Sequence, residues 1–233
     1  MDLSKASDFN DDIDYLFHSN IVEYDMNQAS VSVSERFKLL DEKTIKFLKL
    51  LPKEKRSRAV GCLQRDNDIF NKSLREHIVL ARNNFLEANN IKEGDILSTH
   101  TDAVIFKSNN EIKEVVDGIS FKKASESVSY LKYDKRIEIF FSGDCIDFKQ
   151  IPKDLVKQQS IGMNTYILNI LKKVDNYDDT VIYTMAKFQR DYLQDKLPEY
   201  FYQPFGKMGS YKFENLNFLA FLTNAVLREV KTW

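Results

Sequence analysis

ILSTHTDAVIFK, residues Ile96–Lys107, is an apolar stretch interrupted by a histidine and an aspartate. Its β-branched and aromatic residues read as strand, and the polar centre His100-Thr101-Asp102 reads either as a hairpin tip or as a functional insertion. An ionised carboxylate on an apolar strand is costly unless it is paired or bound to a cation. Asp102 is therefore the first candidate for chemistry, with a turn role as its rival.

Outward from this stretch the pattern alternates between helix and strand. A short amphipathic segment around Phe9 to Phe17 precedes NIVEYD, Asn20–Asp25, whose alternation marks a strand. Helical spacing then begins with Ala29, Val33, Phe37 and Leu40. A second helix is expected over 41–51, with Asp41 as N-cap and Pro52 as its stop, and a third over 53–63. The longest helix of this half is expected over 66–90, with Asp66, Asn67 and Asp68 as capping candidates. Beyond Ile96–Lys107, further strands are expected over 112–116, 119–123, 128–133 and 136–141, separated by turns such as Asp117-Gly118 and Gly143-Asp144.

From Ile151 onward the periodicity is helical, with amphipathic stretches over 163–174, 178–197 and 213–230. The aromatic, Pro- and Gly-containing segment 198–211 between the last two reads as an ordered loop. The expected fold class is α+β: an antiparallel sheet with helices on one side and a helical C-terminal region, divided as 1–150 and 151–233.

Bulk composition narrows the function classes. The 233 residues are 43% hydrophobic and hold only 7 Gly and 4 Pro, which supports one sizeable core, or one core with a small appended subdomain. Lys+Arg 34 against Asp+Glu 35 leaves a net charge of -1, so nucleic-acid binding would need a local basic groove. Cys62 and Cys145 have no paired spacing, and His18, His77 and His100 form no metal-ligand pattern, which argues against a disulfide framework or a zinc site. No apolar run approaches the roughly 18–20 residues of a membrane span. The acidic start MDLSKASDF is unlike a secretory signal, so an intracellular setting is expected. Glycine-rich phosphate loops and nucleophile elbows are absent from the sequence.

Asp25 is the second candidate, placed where a strand gives way to a helix; a helix N-cap is its rival role. Two aspartates on adjacent strands make an oxygen site for Mg²⁺, which commonly uses one or two carboxylates plus substrate phosphates. Between them, KEKRSRAVGCLQR, residues 53–65, carries five cations and one acid. Arg58 and Arg65 lie two turns apart on nearly one helical face. Such a run serves either as a solvated surface or as a grip on phosphate.

Three segments together resemble the palm of family B DNA polymerases. Asp25 opens DMNQASVS, similar to the D-x-x-S-L-Y-P-S motif, with Ser30 and Val31 at the Tyr and Pro positions. Lys53–Gly61, KEKRSRAVG, is similar to K-x-x-x-N-S-x-Y-G, with Ser57 and Val60 at the Asn and Tyr positions. HTDAV, His100–Val104, is similar to D-T-D-S-V, with His100 at the place of the first acid. The resemblance spans about residues 20–107, in the family's order.

It implies a template-directed, DNA polymerase-like nucleotidyltransferase, reduced and of viral or mobile-element type, with Asp25 and Asp102 as catalytic ligands of two divalent metals. Mg²⁺ is the implied cofactor, with Mn²⁺ as substitute. Met26, Asn27, Lys53, Ser57 and Arg58 are the implied nucleotide-binding residues. The implied partners are primer–template nucleic acid, nucleoside triphosphates and other replication subunits, with no membrane. The alternatives are a catalytically inactive polymerase-derived nucleic-acid-binding or scaffold protein, and a structural α+β protein.

Overall fold

Along the chain, β1 (Ser7–Phe9), β2 (Tyr15–Leu16) and β3 (Ile21–Met26) lead into helices α1 (Ala29–Arg36), α2 (Glu42–Leu50), α3 (Lys53–Asp66) and α4 (Asp68–Ala88). Strands β4 (Ile96–His100), β5 (Ala103–Lys107), β6 (Val115–Val116), β7 (Ile119–Ser127), β8 (Ser129–Tyr133), β9 (Ile137–Ser142) and β10 (Cys145–Lys149) follow. The chain continues with α5 (Ile161–Asp175), α6 (Thr180–Leu193), β11 (Lys207–Met208), β12 (Tyr211–Lys212) and α7 (Asn215–Val230). This is a computed structural model that describes residues 1–134, 137–149, 161–202, 207–208, 211–212 and 215–233. The fold is α+β.

Two compact units divide it: Met1–Asn10 with Val22–Glu126, and Asp11–Ile21 with Ser127–Trp233. The first holds a six-stranded sheet in the order β1-β4-β5-β3-β7-β6. Alternation along β3 sends Val22, Tyr24 and Met26 into a core shared with the helices, where Leu74 and Phe85 of α4 are fully buried. Phe85 stacks on Phe121 of β7 at 4.1 Å and approaches Tyr24 at 5.5 Å. Each such side chain contributes roughly 1.5–3 kcal/mol by leaving water. Glu23 and Asp25 alternate onto the opposite face of β3.

Local signals set the helix ends. Asp41 caps α2, accepting from the Lys43 and Thr44 amides at 2.9 and 3.0 Å. Of the three capping candidates before α4, Asn67 takes the role, accepting from Phe70 N–H at 2.9 Å. Arg82, in the middle of α4, is fully buried. Its guanidinium donates to the carbonyls of Leu3, Lys5 and Ala6 at 2.9–3.0 Å, which fastens the N-terminal segment against the helix. Burial lowers its pKa to about 10, so it stays cationic at neutral pH.

The second unit builds a four-stranded antiparallel sheet in the order β10-β9-β8-β2. Leu131, Ile137, Ile139 and Phe141 form its inner face, packed with Met163, Ile167 and Ile170 of α5 and Phe218 and Leu222 of α7. The division expected at 150 therefore falls at 126/127, and the C-terminal part is not purely helical. Periodicity identified these strands but carried no signal of which sheet each would join; the apolar inner face of β8 and β9 is completed by the C-terminal helices.

Several element bounds also differ. Ile96–Lys107 is two strands, turning at Thr101 and Asp102 so that His100 pairs with Ala103. Phe9–Phe17 resolves into the end of β1 and all of β2 rather than an amphipathic segment. The strand expected over 112–116 shortens to two residues, and the next one lengthens to Ser127. β10 follows the Gly143-Asp144 turn as a strand that was not expected. Within the segment expected as an ordered loop, Glu199–Phe201 is a 3-10 turn; residues 203–206 and 209–210 lie outside the described residues, as do 151–160. Among the described residues no helix is long and apolar enough to cross a membrane.

Candidate active site

Asp25 sits near the end of β3, the strand flanked by β5 and β7. After Met26 the chain turns through Asn27 and Gln28, the latter with a left-handed φ of 51°, and enters α1. Gln28, not Asp25, occupies the N-cap position, and no side chain caps α1. The rival role for Asp25 as a helix cap is thereby removed. Two backbone bonds fix the turn: Met26 N–H donates to the Asp102 carbonyl at 2.9 Å, and Asn27 N–H donates to the Ser120 carbonyl at 2.8 Å. Ser32 Oγ donates to the Asn27 carbonyl at 2.8 Å and steadies the same loop.

Asp102 leaves the β4–β5 hairpin turn beside Asp25. Asp102 takes the turn position weighed as its rival role and also forms part of a cavity wall. Asp25 and Asp102 line one cavity of about 440 Å³. Its strand-to-helix wall includes Met26 and Asn27, and its helical wall comes from Lys53, Arg56, Ser57, Val60 and Gln64 of α3. Residues 53, 56, 57, 60 and 64 form one stripe of a 3.6-residue helix, which turns that face of α3 toward the acids.

Six of the seven residues singled out from sequence thus gather at one place: Asp25, Met26, Asn27, Lys53, Ser57 and Asp102. Arg58 is exposed and does not line the cavity; Arg56 does. The helical stripe that starts at Lys53 reaches Arg56 and leaves Arg58 about 140° round from Lys53, a distinction available from periodicity alone. Lys122 of β7 also lines the cavity and went unnoticed in the sequence. Its signal was the alternation of Ile119 and Phe121, both buried, which sends Ser120 and Lys122 to the face that carries Asp25.

The electrostatics follow from this crowding. Burial pushes the Asp25 carboxyl above the ordinary carboxylate range, and the charge of Asp102 adds to it; Lys122 and Lys53 pull the other way. Burial likewise raises Asp102, opposed by a hydrogen bond to its own backbone and by Lys53. Among the described residues neither carboxylate has a salt-bridge partner within 4 Å, nor do Lys53, Arg56 and Lys122. Two partly desolvated acids and three cations without a salt-bridge partner facing one space suit a ligand that brings both positive and negative charge.

A divalent cation with a polyphosphate has that character. Among the described residues no three His, Cys, Asp or Glu side chains converge on one point; the cavity lining holds two carboxylates, Asp25 and Asp102. Mg²⁺ accepts such a site when phosphate and water oxygens complete its shell. His100 lies outside the cavity lining, with Nε2 3.2 Å from Ser98 Oγ and its ring edge-on to Phe9 at 5.7 Å. His77 rests on Phe37 at 4.5 Å, and His18 stacks on Tyr177 at 4.2 Å in the second unit.

The model of the bacteriophage PBS1 gene 130 protein family matches residues 2–233, and the chain belongs to that family. No curated protein matches the sequence.

Proposed function

We propose that the first unit carries a palm-type nucleotidyltransferase site that extends a nucleic-acid strand from nucleoside triphosphates. The observation that supports this reading is that Asp25 near the end of β3 and Asp102 in the β4–β5 turn line one cavity with Lys53, Arg56 and Lys122. Asp25 and Asp102 would hold Mg²⁺ or Mn²⁺. That metal would supply an activated 3′-hydroxyl and charge neutralisation on the departing pyrophosphate.

The chain's own residues divide the remaining work. Lys53 and Arg56 on α3 balance triphosphate charge, and Ser57 offers a hydroxyl on the same face. The strand-to-helix turn at Met26 and Asn27 brings backbone close to the ligand at the uncapped start of α1, where amides favour anions. In the reaction the 3′-hydroxyl gives up its proton to solvent, its oxygen bonds to the α-phosphorus, the bond to the bridging oxygen breaks, and pyrophosphate leaves. Primer–template nucleic acid, nucleoside triphosphates and other replication subunits are the partners of this reading, inside the infected cell. Membership of a phage family supports a viral setting.

A second reading is a polymerase-derived protein that binds nucleic acid or acts as a scaffold without catalysis. His100 favours it: at the place of the motif's first acid stands a residue that turns to Ser98 and Phe9 instead of the cavity. Primer extension with Mg²⁺ or Mn²⁺ decides between them. Extension by the wild type, lost in Asp102→Ala, supports catalysis. Primer–template binding that depends on Lys53 and Arg56, without any extension, supports the second reading. Extension unchanged by Asp102→Ala overturns the proposed site.

A further inference from the structure

β3 and β7 are neighbours in the sheet, and two bonds define how they face each other. Asn27 N–H reaches the Ser120 carbonyl at 2.8 Å, and Ser125 Oγ donates to the Glu23 carboxylate at 2.8 Å. The strands therefore run antiparallel. Counted from the Asn27–Ser120 bond, Lys122 faces Asp25, and both line the same cavity; the Ser125–Glu23 bond lies one residue out of that register. Asp102 occupies the other flank of Asp25, so the order across the sheet is Asp102, Asp25, Lys122. The adjacent Lys123 is committed to Glu126 at 2.5 Å. Lys122 has no salt-bridge partner among the described residues and lines the cavity.

We propose that Lys122 is a built-in electrostatic regulator of metal loading, lowering the affinity of the Asp25–Asp102 pair for a divalent cation until an anionic phosphate ligand enters. The inference rests on the metal-binding reading of the two aspartates. A fixed positive charge next to a carboxylate repels an approaching divalent cation twice as strongly as a monovalent one. Its cost is removed once phosphate oxygens arrive and take up the ammonium group. The metal then loads together with its phosphate ligand rather than ahead of it. Lys122 acts through Asp25 and is a positioning residue, not a catalytic one.

Mn²⁺ binding to the full chain, followed by electron paramagnetic resonance, tests this without any catalytic readout. Lys122→Met is expected to bind Mn²⁺ roughly 3–5-fold more tightly than wild type. Lys122→Arg keeps the charge and should match wild type. Lys46→Met, which removes an exposed α2 lysine and the same net charge, should also match it. Melting temperatures of all variants report on folding. Unchanged or weaker Mn²⁺ binding in Lys122→Met, with binding abolished in Asp102→Asn, overturns the regulator and leaves the metal site standing. Failure of the wild type to bind Mn²⁺ saturably, or binding indifferent to Asp102→Asn, overturns both.

Discussion

The amide of Met26 donates to the carbonyl of Asp102 at 2.9 Å, and this one bond ties the end of β3 to the β4–β5 hairpin turn. Asp25 at the end of β3 and Asp102 in the hairpin turn are thereby held side by side by a main-chain bond. Substitution of either carboxylate should alter charge without moving the scaffold. That separation makes the site accessible to simple mutagenesis.

Asp25→Asn and Asp102→Asn are expected to stabilise the protein while removing the proposed metal ligands. Both carboxyls are raised by burial, so at neutral pH each ionised form is held at a cost. Both groups keep part of their solvent contact, and screening holds the gain to on the order of 1 kcal/mol or less. Thermal melts at pH 7 that show lower stability in both variants would contradict the electrostatic account.

The pH dependence has a defined sign. A carboxyl whose folded pKa exceeds its unfolded value keeps its proton longer in the folded state. Stability is then lost as pH rises from the unfolded value, about 3.9, through the raised folded one. The stability advantage of Asp25→Asn over wild type should therefore grow as pH rises through that window and shrink toward pH 4. Asp178 behaves oppositely: hydrogen bonds from Lys173 and then Thr180 hold it down to about 2, so its contribution is lost on acidification. Paired melts of wild type and variant isolate the Asp25 effect from such groups.

Added Mn²⁺ should raise the melting temperature of the wild type and leave Asp102→Asn unchanged. At a tenfold excess over Kd, ligand binding stabilises by about 1.4 kcal/mol, or roughly 3–5 °C for a chain of this size. Equal shifts in both proteins would mean that the cation binds elsewhere.

Arg56→Ala should weaken triphosphate binding, raising the nucleotide KM by about tenfold, as for loss of one charged hydrogen bond. Arg58→Ala should stay near wild type. The pair shows what was and was not legible in the sequence. Asp25, Asp102 and Lys53 could be found because acids at strand ends and a basic helix stand out against apolar surroundings. The choice between Arg56 and Arg58 needed the helix phase counted from Lys53, which periodicity carries but a run of basic residues read as a block does not. Lys122 was hidden because a lysine alternating with core residues looks like any solvated strand face until the neighbouring strand is known. The sheet partners of β8 to β10 were hidden for a related reason: pairing is long-range, and alternation alone names no partner.

Arg82 predicts the largest loss of stability in the first unit. Among the described residues its buried guanidinium has no carboxylate partner and instead satisfies the carbonyls of Leu3, Lys5 and Ala6. Asn83 adds a further bond from Nδ2 to the Leu3 carbonyl at 3.0 Å. These contacts hold the segment that leads into β1, where Asp8 and Phe9 pair with Thr99 and Ser98 of β4. Arg82→Ala strands several carbonyls and opens a cavity, a change worth about 3–5 kcal/mol. Arg82→Lys keeps the charge but one ammonium cannot reproduce the three-carbonyl fork, so it should recover only part of the loss. Denaturant titration measures the stability, and limited proteolysis should show cleavage within the first ten residues rising in Arg82→Ala. Because β4 ends in the turn that presents Asp102, a freed β1 should also loosen Mn²⁺ binding, with Asp25 and Asp102 themselves intact. Wild-type stability and protease resistance in Arg82→Ala would refute the clamp.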